Sequence, residues 1–327
     1  MNEIECAVTR SGRIESIHRA VAAIVTPTGE VYNAFGDIDL QTYVRSSAKP
    51  FQAMAVLRSG ARDKFVFTDE EMALICASHN AEPIHTDLAR DILTKLELDE
   101  SAYDCGAHPP IDKASANDLI RQGVEPTPIH NNCSGKHAGM LATALTLGVP
   151  TDGYLSQDHP VQQLIHEIVC ESTDETEIFR GIDGCSAPVF YMPVNKLALA
   201  FARLAAQDTP ERETIFRVMN AHPYLVAGRK RWDTEVMQQF PGTLVSKGGG
   251  EAVYGAGIKI DDRVYGLAVK VLDGHHRTLG AIVIALLNRI GMIDDAQREA
   301  LKWFWQPELK NVAGRVTGSY DINLPMT

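Results

Sequence analysis

Several features that mark specialised classes of protein are scarce or missing in this 327-residue chain. Basic residues are outnumbered, with 31 Lys and Arg against 42 Asp and Glu, so the formal net charge is −11. No basic stripe offsets this balance, which disfavours binding to nucleic acid or to an anionic membrane. The chain also lacks low-complexity tracts and internal repeats, and its apolar stretch at residues 278–287 is too short to span a bilayer.

A disulfide framework is not expected either. The first six residues are acidic and contain no apolar core of a secretory signal. In a chain of this size without such a signal, scattered cysteines indicate reduced thiols, so we expect a cytoplasmic protein. The six cysteines are Cys6, Cys76, Cys105, Cys133, Cys170 and Cys185.

The order of apolar patterns predicts a mixed α/β (α+β) fold. Residues 22–26 and 31–35 predict a β-hairpin, the middle of the chain predicts helices, and β-character returns after residue 243. We therefore expect an antiparallel sheet assembled from both chain ends, with an inserted helical lobe. The expected sheet lobe comprises about 1–60 plus 178–327, and the expected helical lobe about 61–177. The first predicted helix starts near Ser46 or Ser47 and accommodates Pro50 in its first turn. The other predicted helices are one opened by a capping box at Thr68, and residues 84–96, 114–122, 135–147, 160–171, 194–206, 211–221, 277–290 and 294–303.

Three short motifs occur in a meaningful order. Ser46-Ser47-Ala48-Lys49 is followed by Ser78-His79-Asn80 and then by Lys247-Gly248-Gly249. They resemble the S-x-x-K, S-x-N and K-T-G set of penicillin-recognising serine hydrolases. A serine and a lysine three residues apart share one face of a helical turn, so the lysine could accept the serine proton if its pKa were lowered. The alternative is a helix N-cap followed by a solvated lysine, because S-x-x-K occurs about once by chance in such a chain.

A second unusual segment is polar and leads into an apolar helix. Cys133 and Lys136 lie three residues apart at the expected start of this helix, where the partial positive charge favours a thiolate. A second thiol could come from Cys185 in a tight turn with Asp183. The alternative is that both cysteines are small buried residues without a metal.

Together these segments resemble the rhizobial-type L-asparaginases, a class similar in fold to the serine β-lactamases. The resemblance covers nearly the whole chain. It is carried by four long blocks and two shorter ones, which are residues 45–52, 76–80, 130–137 and 181–188, then 247–251 and 267–274.

This resemblance implies hydrolysis of L-asparagine to L-aspartate and ammonia by a homodimer. It implies two serine–lysine pairs, Ser46 with Lys49 and Ser78 with a later lysine, which we place at Lys247 and less favourably at Lys259. It further implies a zinc ion on Cys133, Lys136 and Cys185, completed by water. The residues expected to bind the substrate are Arg45, Asn80 and Asp183.

One departure from the family pattern concerns the last motif. Gly248 stands where a threonine is expected, so a hydroxyl contact to the substrate is missing unless Ser246 replaces it.

We predict that Ser46 is the nucleophile with Lys49 as its base, although Ser78 could be the nucleophile instead, with Ser46 relaying protons.

Two other functions compete with the asparaginase. A penicillin-binding or β-lactamase-like hydrolase would use the same serine and lysine chemistry, but such enzymes act outside the cytoplasm. A non-enzymatic, zinc-stabilised module would explain the two cysteines and Lys136 but would leave Ser46, Lys49, Ser78 and Lys247 without a purpose.

Overall fold

The computed structural model describes residues 2–325. Its strands are β1 (Ile4–Arg10), β2 (Arg13–Val25), β3 (Val31–Phe35), β4 (Gln41–Tyr43), β5 (Phe179–Ile182), β6 (Pro188–Pro193), β7 (Leu244–Gly249), β8 (Val253–Ile260), β9 (Arg263–Val271), β10 (Leu309–Lys310), β11 (Val316–Gly318) and β12 (Tyr320–Asn323). Its α-helices are α1 (Lys49–Arg58), α2 (Ala61–Lys64), α3 (Asp69–Ile75), α4 (Pro83–Lys95), α5 (Lys113–Gln122), α6 (Ser134–Leu147), α7 (Pro160–Thr173), α8 (Val194–Ala206), α9 (Pro210–Ala221), α10 (Pro223–Val226), α11 (Trp232–Gln239), α12 (Leu279–Arg289), α13 (Asp295–Ala300) and α14 (Lys302–Trp305). Short 3-10 helices cover Arg45–Ala48, Glu100–Ala102, Pro128–His130 and His276–Thr278.

The main sheet joins the two ends of the chain. Its order is β12-β1-β2-β9-β8-β7, and β3 also pairs with β2. Every pairing is antiparallel, and Cys6 lies opposite Ile322 in the pairing of β1 with β12. The predicted antiparallel sheet from both chain ends is therefore confirmed.

Helices cover the sheet and pack on one another. Helix α8 lies against β2, β8 and β9. Helices α1, α3, α6 and α7 form a separate helical layer, in which α1 packs against α6 and α7, and α3 packs against α6. One continuous hydrophobic core runs through both parts, from Ile24 in the sheet to Leu141 in α6. This arrangement places the N-terminal ends of α1 and α6 close to the end of β7.

Several local predictions are confirmed by the structure. The hairpin is β2 and β3, with Ala22 opposite Phe35. Thr68 and Glu71 form the predicted capping box, and Pro50 lies in the first turn of α1. The predicted last helix is instead two helices, α13 and α14, because the chain leaves regular α-geometry at Leu301.

Other elements were not predicted. Strands β1 and β6 were missed, and β5 does not join the main sheet but pairs with β6 in a separate three-stranded sheet that includes β4. The two-lobe boundaries at 60/61 and 177/178 stay a prediction.

Candidate active site

Both motif serines face one cavity. This cavity has a volume of about 670 Å³ and lies between the helical layer and the end of β7. Aromatic side chains form one wall, and glycines of β7 form another. The residues lining it are Ser46, Ser78, Asn132, Lys230, Arg231, Trp232, Asp233, Gly248, Gly249, Gly250, His276, Arg277, Leu279, Gly280, Trp303, Phe304, Pro307 and Tyr320.

Ser46 lies in a tight turn that is held under strain. The turn is the 3-10 helix that directly precedes α1, and Arg45 at its start has a φ of 50°, in the left-handed region. Such a conformation costs a non-glycine residue about 1–3 kcal/mol and is concentrated at functional sites. Among the described contacts the Ser46 hydroxyl makes no hydrogen bond. It is therefore free to meet a ligand in the cavity.

Gly249 allows β7 to approach this turn. A Cβ atom at Gly249 would lie 2.7 Å from the carbonyl oxygen of Val44 and 3.3 Å from the amide nitrogen of Ser47. Carbon atoms do not approach backbone that closely, so any side chain here would push the strand away from the Ser46 turn. Glycine at this position therefore keeps the Ser46 turn close to the strand that carries Lys247.

Lys49 is buried and bonds to Ser78 rather than to Ser46. Its Nζ donates to the Ser78 hydroxyl at 2.9 Å, to the Ala77 carbonyl oxygen at 2.6 Å and to the Asn132 carbonyl oxygen at 3.4 Å. Three acceptors suit the three N–H groups of an ammonium ion. The local pair of Ser46 with Lys49 that the motif predicts is thus replaced by a pair across the fold.

The close packing of α6 against α3 brings the second motif to this lysine. A Cβ atom at Gly135 would lie 2.3 Å from the carbonyl oxygen of Leu74, so only glycine lets the two helices approach to this distance. Ser78 follows α3 by three residues, and its amide donates to the Val226 carbonyl oxygen at 3.0 Å. This contact and the Lys49 bond fix the position of Ser78 on the cavity wall.

Lys247 is fully buried on β7. Its Nζ donates to the Gly248 carbonyl oxygen at 2.9 Å and lies 3.6 Å from Oδ2 of Asp233. Burial lowers the pKa of Lys247 to about 7; Asp233 opposes this shift, and the charges of Lys49 and Arg231 add to it. An amine with this pKa is partly neutral near neutral pH and can accept a proton.

Asn80 lies behind the cavity. It is buried, its Nδ2 donates to the Arg229 carbonyl oxygen at 3.1 Å, and its Oδ1 accepts from Nη1 of Arg231 at 2.9 Å. It is not among the residues that line the cavity. Asn80 therefore orients Arg231, and its role in substrate binding stays a prediction.

Arg45 and Asp183 form an ion pair beside the cavity. Nε of Arg45 donates to Oδ1 of Asp183 at 2.6 Å, and the amide of Gly184 donates to the same oxygen at 2.8 Å. Burial raises the pKa of Asp183, but the Gly184 amide, Lys136 and Arg45 outweigh it and hold this pKa below its ordinary value. Gly250, which lines the cavity, lies directly against the Arg45 guanidinium.

The two cysteines and the lysine of the second constellation meet in one buried cluster. Nζ of Lys136 donates to Sγ of Cys185 at 3.1 Å, and Cys133 caps the start of α6 next to them. A hydrogen bond with Cys185 holds the pKa of Cys133 well below its ordinary value against the effect of burial, and Lys49 and Lys136 add to this. The cluster therefore favours a thiolate shared between two sulfurs and stabilised by lysine.

These donors fit a zinc ion in type. Two thiols and an amine supply three soft or borderline ligands, and Nε2 of the adjacent His137 is buried with no hydrogen-bond partner in the described part of the chain. Within residues 2–325 no group of three or more His, Cys, Asp and Glu side chains is arranged to hold a metal ion. Any metal here therefore requires Lys136 as a ligand, and its amine must lose its proton first.

Comparison with known proteins identifies the family. A family model described as L-asparaginase II matches residues 6–322. The chain belongs to the L-asparaginase II family. Membership supports an amidohydrolase with asparaginase activity. A search of curated proteins finds no match.

Solved structures similar to this family member are distant. A β-lactamase from Sphaerobacter thermophilus DSM 20745 is 15% identical, with a TM-score of 0.44, over 85% of this chain and 93% of that one. A protein named Mglu, crystallised in 4.3 M NaCl, is 14% identical, with a TM-score of 0.44, over 84% of this chain and 62% of that one. The chain thus spans less than two thirds of Mglu. At these TM-scores the two likenesses carry no argument.

No helix in residues 2–325 is long and apolar enough to cross a membrane.

The structure separates the remaining candidates for this asparaginase II site. Lys259 lies opposite Val264 near the far end of β8, whereas Lys247 is fully buried on β7 next to Asp233, a residue that lines the cavity. Ser246 donates its hydroxyl to Oδ1 of Asp233 at 3.0 Å, so it does not replace the missing threonine hydroxyl in the cavity.

Of the cavity residues that the sequence analysis missed, two directly contact residues of the motifs. Asp233 accepts from the Gly248 amide at 2.9 Å and contacts Lys247, and Arg231 contacts the Ser78 carbonyl oxygen at 3.3 Å. Arg231 directly precedes α11 and Asp233 lies in its first turn, in a segment that matches no motif. A charged pair beside the apolar Trp232 is the only signal that the sequence offers for them.

Proposed function

We propose that the chain hydrolyses L-asparagine to L-aspartate and ammonia through an acyl-serine intermediate. The observation that carries the proposal is the meeting of Ser46 and Ser78 in one cavity, with Lys49 bonded to Ser78 and Lys247 buried nearby. Family membership supports the choice of an amide substrate. A homodimer and a cytoplasmic location stay predictions.

In the proposed reaction the Ser46 hydroxyl attacks the side-chain amide carbon. A new Oγ–C bond forms, and the serine proton passes to the neutral amine of Lys247. The Lys49 ammonium, acting through the Ser78 hydroxyl, stabilises the negative oxygen. The C–N bond then breaks, and ammonia leaves with the proton from Lys247. Water next attacks the ester carbonyl carbon and loses a proton to Lys247. The C–Oγ bond then breaks, Ser46 takes this proton back from Lys247, and L-aspartate is released.

Lys49 thus has a different role from the base that the S-x-x-K motif predicts. All three of its N–H groups already have oxygen acceptors, whereas Lys247 donates a single hydrogen bond among the described contacts. A neutral amine requires fewer acceptors, so Lys247 is the better proton acceptor of the two.

The deciding assay measures ammonia release from L-asparagine and from L-glutamine, together with opening of a chromogenic β-lactam. Ammonia from L-asparagine with an intact β-lactam supports the proposal. Opening of the β-lactam without ammonia release would favour a penicillin-recognising hydrolase. No turnover of any of the three would favour a zinc-stabilised module.

The pH dependence of turnover tests the role of Lys247. Below pH 7 its amine is protonated and cannot accept the serine proton, so we expect kcat/KM to rise with pH up to about 7 and to fall about tenfold per unit on the acid side. Asp233 raises the pKa of Lys247, so Asp233→Asn should move this limb to lower pH. A limb that stays in place in this variant would show that another group titrates.

We further propose that zinc bound by Cys133, Lys136 and Cys185 orients the substrate beside the serines. A bound zinc ion would supply a Lewis acid for polar groups of the substrate. The thiols and the amine would hold the ion, and Asp183, paired with Arg45, would lie at the edge towards the cavity.

Metal removal tests this role. We expect about one zinc per chain by plasma mass spectrometry, lost in Cys185→Ser but kept in the control Cys170→Ser. Exhaustive chelation should raise KM for L-asparagine and leave kcat nearly unchanged, because the metal is not the source of the nucleophile. Loss of kcat with an unchanged KM and fold would contradict an orienting role.

A further inference from the structure

Arg231 is a cavity residue with unused hydrogen-bonding capacity. Its Nη1 donates to Oδ1 of Asn80 at 2.9 Å and to the Ser78 carbonyl oxygen at 3.3 Å. Among the described residues no carboxylate lies within ion-pair distance of it, and its Nε and Nη2 make no hydrogen bond. Both nitrogens keep some solvent-accessible surface, and Arg231 lines the cavity, so both can be reached by a ligand there.

The charge of the cavity also points to an anion. Lys230, Arg231 and Arg277 line it, whereas Asp233 is the only carboxylate among the described residues that line it, in a chain whose net charge is −11. Asp233 already accepts from Gly248 and Ser246. The cavity is therefore electropositive against the overall balance of the protein, which favours a negatively charged ligand.

Of the two arginines among the described residues that line the cavity, Arg231 is the one whose Nε and Nη2 both lack a hydrogen bond. Nε of Arg277 donates to Nε2 of His18 at 2.8 Å, and Oδ2 of Asp273 lies 2.5 Å from Nδ1 of the same imidazole. A second nitrogen of Arg277 donates to Ser16. Arg277 is thus held at the edge of the sheet, whereas Arg231 adjoins Ser78.

We propose that Arg231 binds the α-carboxylate of the amino-acid substrate through Nε and Nη2 and so makes the site specific for a free amino acid. Two parallel N–H donors match the two oxygens of a carboxylate. Asn80 acts as the positioning residue, because its amide fixes Nη1 and leaves the other edge of the guanidinium towards the cavity. The inference rests on the proposed function.

The test compares two substrates that differ only in this carboxylate. 3-Aminopropanamide is L-asparagine without its α-carboxyl group. We expect the wild-type enzyme to prefer L-asparagine by about 100-fold in kcat/KM, since a hydrogen-bonded charged group is lost in the smaller amide. Arg231→Gln also raises the pKa of Lys247, which slows both substrates alike, so the test is the ratio between them: kcat/KM for L-asparagine should fall about 100-fold further than that for 3-aminopropanamide. Arg121→Gln, an exposed position on α5, is the matched control and should alter neither value.

A purely structural role would give a different pattern. In that case Arg231→Gln would lower kcat/KM for the two substrates by the same factor. Guanidinium ions added to Arg231→Ala would then not restore the preference for L-asparagine. Either result would overturn the inference, whereas rescue limited to L-asparagine supports it.

Failure of the proposed function can be distinguished by binding. If the wild-type protein releases no ammonia from L-asparagine, calorimetric titration with L-aspartate still reports on the carboxylate site. Binding that is lost in Arg231→Gln and kept in Arg121→Gln supports the inference without the activity. Equal binding by both variants overturns it.

Discussion

Ser46→Ala is expected to lower kcat for L-asparagine by at least about 10³-fold, because loss of a nucleophile removes the covalent route. The cavity should remain intact, since the Ser46 hydroxyl makes no hydrogen bond among the described contacts. Rapid quenching followed by mass spectrometry of the wild-type enzyme should find the aspartyl ester on the peptide containing Ser46, and Ser46→Ala should yield no ester.

Ser78→Ala provides the comparison. We expect it to slow turnover but still to trap an ester at Ser46, because Ser78 relays charge from Lys49 in our proposal. Ser156→Ala, at an exposed loop position, controls for the substitution itself. An ester that forms in Ser46→Ala and disappears in Ser78→Ala would assign the nucleophile to Ser78, the serine that bonds directly to Lys49.

Lys49→Met is the second change with a large expected effect. It removes the ammonium that polarises Ser78, and we expect kcat/KM to fall by about 10²–10⁴-fold, the range for a positioned proton-transfer group. It also leaves the buried carbonyl oxygen of Ala77 without this donor, which should lower the free energy of unfolding by about 1–3 kcal/mol, whereas the Asn132 carbonyl oxygen still accepts from the His79 amide.

The two effects of Lys49→Met are measured separately. Steady-state kinetics over a range of L-asparagine concentrations gives kcat and kcat/KM, and urea unfolding gives the loss of stability. Lys113→Met, exposed on α5, should change neither. A stable Lys49→Met variant with wild-type kcat would show that the lysine takes no part in the reaction.

Local sequence rules predicted much of the secondary structure. Thr68 and Glu71 fixed the start of α3, Pro50 was accommodated in the first turn of α1, and the turn at residues 27–30 joined β2 to β3. Each of these depends on residues within one or two turns of each other. Short-range steric and hydrogen-bonding preferences are sufficient at that distance.

Strands β1 and β12 show where this reasoning stops. Residues 4–8 alternate between buried and partly buried, which is typical of a strand, but the partner of Cys6 is Ile322 at the other end of the chain. Pairing at such a separation is determined by the closure of the whole sheet. No local signal specifies it.

The site divides in the same way. The sequence by itself determined which side chains bear the chemistry: Ser46, Lys49, Ser78, Lys247 and the cluster of Cys133, Lys136 and Cys185. Only the tertiary structure decided their partners. Lys49 bonds to Ser78 rather than Ser46, and Asp233 and Arg231 enter the cavity from a segment without a motif. The physical reason is that a motif fixes spacing along a helix or strand, whereas burial, charge and close contacts at Gly135 and Gly249 depend on segments that meet only when the core packs.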